Sequence, residues 1–394
     1  MSFDFAARVS RIKPSPTMTL TAQANALKAQ GKDIVALTAG EPDFATPESI
    51  CQAAIKAIQA GDTHYTAVDG TKDLKEAIIE KLARDNQLSY KPEEILVSCG
   101  AKHSIYNLLA ALIDENTGDE VIIPAPYWVS YTDMVQLCGG KPVVVETTSE
   151  TRHKISPEQL AQAITSKTKL LFLNTPSNPT GMAYSADELK ALGEVLKQHP
   201  HVLIMSDDIY EHILWNGKFV NLPMVCPELK DRTIVINGVS KAYAMTGWRI
   251  GFAAAHADLI KAMKKLQGQS TSNPCSISQA AAAAAFRSNL SMIAPMIEAF
   301  KVRHEKFVAA LNGIDGIRCE KSDGAFYAFA DVSELMHAKS IETDSQLAEA
   351  WLEAGVAAVP GSAFGAPGFM RMSFATSQEN LDKAIEKLQA YSKS

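Results

Sequence analysis

A lysine, a carboxylate, an arginine, a phenol and an amide recur within one stretch of this chain, and together they could do chemistry. Lys241 stands in Gly238-Val239-Ser240-Lys241, followed by Gly247-Trp248-Arg249. Asp207 and Tyr210 stand in Ser206-Asp207-Asp208-Ile209-Tyr210, and Asn178 in Thr175-Pro176-Ser177-Asn178-Pro179-Thr180-Gly181. Singly, each has an ordinary role: Asn178-Pro179 makes a turn, Asp207 caps a helix, Lys241 is a surface lysine and Arg249 pairs with an acid. Collectively they match the needs of pyridoxal 5'-phosphate. A lysine amine forms a Schiff base with its aldehyde, a carboxylate keeps its pyridine nitrogen protonated, and an arginine meets its phosphate. A phenol and an amide hydrogen-bond the ring 3'-oxygen. Lys241, Asp207, Arg249, Tyr210 and Asn178 fit these roles in turn.

Short aliphatic runs precede these residues: 169–174 (KLLFLN), 201–206 (HVLIMS) and 233–237 (TIVIN). Further runs at 94–98 (EILVS), 120–124 (EVIIP) and 249–254 (RIGFAA) give six candidate strands. They lack polar alternation, which predicts burial on both faces, and they alternate with amphipathic segments. The pattern is that of an α/β protein with a largely parallel sheet, whose ligands bind beyond the carboxyl ends of the strands. Between the strands, Thr46-Pro47 predicts a helix start with threonine as N-cap and Gly61 past the end. Ser156-x-x-Gln159 and Ser185-x-x-Glu188 predict capping boxes, and the alanines at 280–285 a tightly packed buried helix.

Beyond Phe286 the chain turns charged and helical (IEAFKVRHEKFVAALNG). It then gives a strand-like GAFYAFADV, a helix around 347–354 and a last amphipathic helix from Ser377. These shifts predict a large sheet domain over 46–289 and a smaller domain from 1–45 and 290–394.

With 394 residues and a net charge of −6, the chain can bury a full core and has no basic field for nucleic acid or an anionic membrane. Its mean hydropathy of −0.04 and 21% charged residues fit a globular protein. The six cysteines form no C-x-x-C pair and are expected to be buried thiols, and the scattered histidines imply no metal. The N-terminal stretch carries Asp4, Arg8, Arg11 and Lys13 where a secretory signal needs an apolar block, so the cytoplasm is expected. P-loop, dinucleotide-binding, zinc-protease and α/β-hydrolase motifs are absent.

Over nearly its whole length the sequence resembles the class I aminotransferases of pyridoxal-phosphate fold type I, most closely the bacterial subgroup Ib of aspartate and aspartate/prephenate enzymes. The motifs run in order from Ala39-Gly40-Glu41-Pro42-Asp43-Phe44 and Ala125-Pro126-Tyr127-Trp128-Val129-Ser130-Tyr131 to Pro176-Ser177-Asn178-Pro179-Thr180-Gly181. They continue through Asp207-Asp208-Ile209-Tyr210 and Ser240-Lys241-x6-Trp248-Arg249 to Met370-Arg371-Met372-Ser373-Phe374. The resemblance implies a mostly parallel seven-stranded sheet with a smaller α+β domain.

It implies further that Lys241 holds the cofactor and moves the Cα proton, that Trp128 stacks on the ring, and that Gly100-Ala101-Lys102, Ser240 and Arg249 bind the phosphate. Tyr65 would reach the phosphate of a neighbouring subunit in a homodimer. Arg371 would grip the substrate α-carboxylate, with Gly40 beside it. Many members carry serine three residues before the lysine, where this chain has Gly238. In the better-known aspartate enzymes a partner arginine meets the substrate side chain, but the corresponding 267–273 (QGQSTSN) has none, which leaves Lys102 and Lys13 as candidates. The activity implied is amino transfer from aspartate to 2-oxoglutarate. Prephenate, aromatic or alanine transamination, or a lyase, remain open on the same scaffold. A regulatory protein of this fold would need a DNA-binding segment, which is not visible.

Overall fold

The aliphatic runs become strands in a computed structural model that describes residues 3–14 and 16–394. The main sheet comprises β1 (Ile95–Ser98), β2 (Glu120–Ala125), β3 (Lys141–Glu146), β4 (Thr168–Asn174), β5 (Leu203–Asp207), β6 (Thr233–Gly238) and β7 (Gly251–Ala254). Its order is β1-β7-β6-β5-β4-β2-β3. Every pairing is parallel except those of β7, which runs antiparallel to both neighbours.

Residue alternation sorts the two faces of this sheet. Leu170 and Phe172 join a core with Leu108, Leu109 and Met263 from the helices Ala101–Leu112 and Ala257–Gly268. Leu171 and Leu173 join another with Leu189, Leu192 and Leu196 from the helix Ala186–Lys197. Both faces are covered, so the strands read as continuous apolar runs. The exception is β3, half exposed along its length at the sheet edge. It is the one strand that the aliphatic runs did not mark, because Lys141 and Pro142 open it and charge ends it.

A second sheet, of β8 (Arg318–Cys319), β9 (Tyr327–Asp331), β10 (Val359–Pro360) and β11 (Phe369–Ser373), is antiparallel in the order β10-β11-β9-β8. Val35–Ala36 pairs in parallel with Val356–Ala357, and Ser373 N–H donates to Leu37 O at 2.7 Å, so the N-terminal segment is stitched to this part of the chain. The helices Ala294–Leu311 and Gln378–Lys393 lie where the sequence predicts them, the latter capped by Ser377.

Both predicted capping boxes are present, at Ser156/Gln159 and Ser185/Glu188. The alanine run lies in the helix Ser276–Arg287, with Ala281, Ala282, Ala283 and Ala285 buried. Two local expectations are corrected. The helix Glu48–Gln59 is preceded by Pro47 at the N-cap, while the Thr46 hydroxyl turns away to donate to Ala244 O at 2.8 Å and to accept from Trp248 Nε1 at 3.0 Å. Thr46 therefore ties this helix to the loop after Lys241. The six cysteines are free, but only Cys226 and Cys319 are buried; Cys275, at the N-cap of the helix Ser276–Arg287, is exposed.

No helix among the described residues is long and apolar enough to cross a membrane. Nor do they include a group of three or more His, Cys, Asp and Glu placed to hold a metal ion.

Candidate active site

The carboxyl ends of β1, β2, β4, β5 and β6 open on one edge of the sheet, and the chain leaving each delivers a site residue there. Because β7 is antiparallel, its start lies on the same edge, which brings Arg249 to the others. A cavity of about 520 Å³ at this edge is lined by Gly40, Ala101, Lys102, Trp128, Asn178, Asp207, Tyr210, Ser240, Lys241, Arg249 and Arg371. Thus most of the residues singled out in the sequence converge. Gly100 adjoins the cavity, as N-cap of the helix Ala101–Leu112. Tyr65 and Lys13 do not line it. Tyr65 is 92% exposed, and Lys13 lies on the surface, where its charge reaches Asp133.

Gly100 has φ +86°, and a Cβ there would lie 2.5 Å from Arg249 Nη2. Only glycine lets the arginine close over the start of the helix. Arg249, itself left-handed at φ +57°, is held by Nη1–H to Thr246 O at 2.9 Å and Nη2–H to Cys99 O at 3.3 Å. Below them the backbones pack without side chains between: a Cβ on Gly251 would lie 2.2 Å from Ala101 N. The first N–H groups of this helix have no intrahelical acceptor, so the cup of Gly100, Ala101, Lys102 and Arg249 suits an anion. Gly238 has a similar reason: a Cβ there would meet Ile250 O at 2.8 Å, which leaves no room for a side chain.

Asp207, 4% exposed, accepts from Tyr131 O–H at 2.6 Å and from Ile209 N–H at 3.3 Å. Burial raises its pKa to about 6, against the pull of the Tyr131 hydrogen bond. The Lys241 ammonium donates to Gly40 O, and desolvation lowers its pKa to about 8. The Tyr210 and Tyr327 hydroxyls share a hydrogen bond of 2.9 Å, and burial holds the Tyr210 phenol well above its usual range.

Arg371, 2% exposed in β11, donates from Nη1 to Asn178 Oδ1 at 3.0 Å and from Nη2 to Thr38 O at 2.9 Å, while its buried Nε has no partner. Its guanidinium lies over Tyr327 and Phe364, 4.6 and 4.9 Å from the ring centroids. Asn174 aligns Asn178 by accepting its backbone N–H at 2.8 Å and donating to Asp207 O at 2.9 Å. The Lys102 ammonium sits 4.7 Å from the Trp128 ring centroid, and Trp128 meets Tyr131 edge-on at 5.4 Å. Partial desolvation and the Arg249 charge lower the Lys102 pKa.

Sequence reasoning gave no role to Tyr131, Tyr327, Thr38 or Asn174. Two of these left a signal: Tyr131 follows Trp128 by about one helical turn, and Tyr327 alternates with buried residues in GAFYAFADV. The hydrogen bonds that Thr38 accepts and that Asn174 makes depend on tertiary contacts that spacing does not encode. Gln267, in the stretch lacking the arginine, is wholly buried; it donates to Val68 O and Val97 O and accepts from Ser98 and Asn107.

Residues 32–388 match the family model for aminotransferase class I and II. The chain is 55% identical over 389 residues to the aspartate/prephenate aminotransferase of Nitrosomonas europaea, covering 97% of this chain and 98% of that protein. It is 50% identical over 388 residues to the aspartate aminotransferase of Geobacillus stearothermophilus, covering 98% of each. Among solved structures, the aspartate aminotransferase of Rhizobium meliloti superposes with a TM-score of 0.96 at 47% identity, covering 100% of this chain and 99% of that one. That of Thermus thermophilus, solved with maleate, gives 0.93 at 41%, covering 99% and 100%. Fold, edge-of-sheet site and near full-length similarity agree, and the chain belongs to the class I and II aminotransferases, pyridoxal-phosphate enzymes of fold type I.

Proposed function

We propose that this enzyme transfers the amino group of L-aspartate to 2-oxoglutarate, giving oxaloacetate and L-glutamate. When bound, pyridoxal 5'-phosphate supplies a carbonyl that carries the amino group and a ring that accepts the electrons of the Cα–H bond. The residues fit this group. The cup that only glycine leaves open at Gly100 suits its phosphate, with Ser240 and Arg249 adding side-chain contacts. Asp207 is a buried acid that would pair with the protonated ring nitrogen, whose charge would offset the desolvation that raises its pKa. Tyr210 and Asn178 would hydrogen-bond the ring oxygen, and Trp128 would cover one face.

Lys241 is the attachment amine in this reading. Desolvation favours its neutral form, the form of Nζ that would take the proton from Cα. Arg371 binds the α-carboxylate from the cavity wall, where the neighbouring Gly40 leaves space for it. Packing against Tyr327 and Phe364 fixes the guanidinium plane, which orients the substrate before reaction.

Lys102 carries the assignment of substrate. Four cations line the cavity, Lys102, Lys241, Arg249 and Arg371. With the last three given to amine chemistry, phosphate and α-carboxylate, Lys102 is left for a second carboxylate. The maleate of the Thermus structure is a dicarboxylate of four carbons, as aspartate is. Lys13, outside the cavity, is the weaker candidate. The name of the Nitrosomonas relative favours prephenate as a second substrate, and prephenate too carries two carboxylates.

Turnover of aspartate, prephenate, phenylalanine and alanine with 2-oxoglutarate tests this directly. Aspartate is expected to be the best donor, with parallel double-reciprocal lines because donor and acceptor use one site in turn. No turnover of aspartate would overturn the proposal. Borohydride reduction should fix the cofactor to Lys241 and to nothing in Lys241→Ala.

The proposal extends to a homodimer in the cytoplasm, with the chain divided into a large unit over 46–289 and a small one from 1–45 and 290–394. Tyr65, exposed and away from its own cavity, supports a role toward a partner's phosphate, and the six free thiols suit a reducing compartment. The seven- and four-stranded sheets fall one in each unit.

A further inference from the structure

Glu211 lies one residue beyond Tyr210 and four beyond Asp207, but it faces away from the cavity and does not line it. It is 5% exposed, a carboxylate in the core. Three donors from two directions satisfy it. The wholly buried Lys81 ammonium meets Oε1, and Asn86 Nδ2 donates to Oε2 at 2.8 Å, both from the helix Lys72–Asn86. From β6, Asn237 Nδ2 donates to Oε1 at 2.8 Å. Lys81 also donates to Asn86 Oδ1 at 2.6 Å, so the cluster is closed on the helix side.

Asn237 is the part that reaches the chemistry. Its Oδ1 accepts the backbone N–H of Gly238 at 2.7 Å, at the point where β6 ends and the turn to Lys241 begins. A single side chain therefore ties the segment carrying Asp207 and Tyr210 to the segment carrying Lys241. The strands beneath are already paired, Asp207 with Ile236, and Asp208 N–H donates to Ile236 O at 2.9 Å; the Asn237 side chain adds a link one step further along both segments. Asp208 adds a second anchor on the same segment, with Asn221 Nδ2 donating to it at 2.6 Å and Ser206 Oγ at 2.7 Å. A buried ion pair is weak evidence for stability, since apolar residues of the same volume often serve as well. Its use here is sought in position.

We propose that Glu211, acting through Asn237, is a positioning residue that sets the spacing between the Asp207–Tyr210 segment and Lys241. This rests on the roles given above to those three residues. Glu211 accepts from Asn237 through a carboxyl oxygen in either protonation state, and the Asn237 bond transmits its position. Because catalysis requires the reacting groups to be held to a fraction of an ångström, loosening this link acts on rate more than on substrate binding.

Glu211→Gln would strand Lys81 and could fail to fold, so Asn237→Ala is the informative variant, with Asn237→Ser in its place if needed. Lys81→Met removes the ion pair while leaving the Glu211–Asn237 bond. Attachment to Lys241 is first verified by borohydride in each variant, so that failure of the site assignment is seen separately. Asn237→Ala is expected to lower kcat about tenfold or more with KM for aspartate changed by less than about threefold. It should also raise the dissociation constant of pyridoxal 5'-phosphate and displace the pH titration of the bound chromophore. Lys81→Met is expected to lower Tm while keeping kcat and the cofactor constant within about twofold. Wild-type kcat, cofactor affinity and chromophore titration in the Asn237 variant would overturn the proposal, as would a loss of kcat in Lys81→Met equal to that in Asn237→Ala.

Discussion

Tyr131 and Asp207 show how one hydrogen bond adjusts a buried charge. Burial alone would push the Asp207 carboxyl up further, and the phenol at 2.6 Å opposes it. Since the folded pKa of about 6 exceeds the ordinary 3.8, the cofactor-free protein bears no penalty from Asp207 below about pH 4. It loses stability as pH rises through 4 to 6, on the order of 3 kcal/mol in all. Asp207→Asn is therefore expected to stabilise the cofactor-free protein at pH 7.5 and to change it little near pH 4, measured by urea unfolding. An equal effect at both values would contradict the assigned shift. In the complete enzyme the same substitution should slow removal of the Cα proton by orders of magnitude, because a neutral amide does not hold a pyridinium. Tyr131→Phe should move the Asp207 titration upward, visible in the same unfolding series.

The anion cup depends on contact between elements. Gly251 in β7 supports Ala101 so closely that a methyl group has no space, and the obstruction is backbone. Gly251→Ala is expected to destabilise the fold by about 1–3 kcal/mol and to weaken cofactor binding about tenfold or more. Denaturant unfolding and a fluorescence titration measure the two effects, and unchanged affinity would argue against the phosphate assignment. At this scale much was legible in sequence. Six strands of the main sheet announce themselves because both faces are buried, and Ser156 and Ser185 announce their helices because a capping box is local. β3 did not, being a half-exposed edge. Thr46 misled because its hydroxyl serves Ala244 and Trp248, 198 and 202 residues away, in place of its own helix. The site was legible where residues follow strand ends, as Asp207 and Lys241 do. It was illegible where a distant main-chain atom completes it, as Thr38 does for Arg371.

For the molecule as a whole, Tyr65 and Lys241 offer a test of shared sites. If each site takes its tyrosine from the partner, mixing an inactive Tyr65 variant with an inactive Lys241 variant should restore about a quarter of wild-type activity after subunit exchange. No recovery despite verified exchange would place Tyr65 outside the site. The pairing of Val35–Ala36 with Val356–Ala357 and the bond from Arg371 to Thr38, 333 positions away, carry another consequence. During synthesis the early segment leaves the ribosome long before its partners exist. The nascent chain can assemble its seven-stranded layer first, yet it holds no finished pocket until translation nears the last helix, so a prematurely terminated product is inert rather than a partially working catalyst.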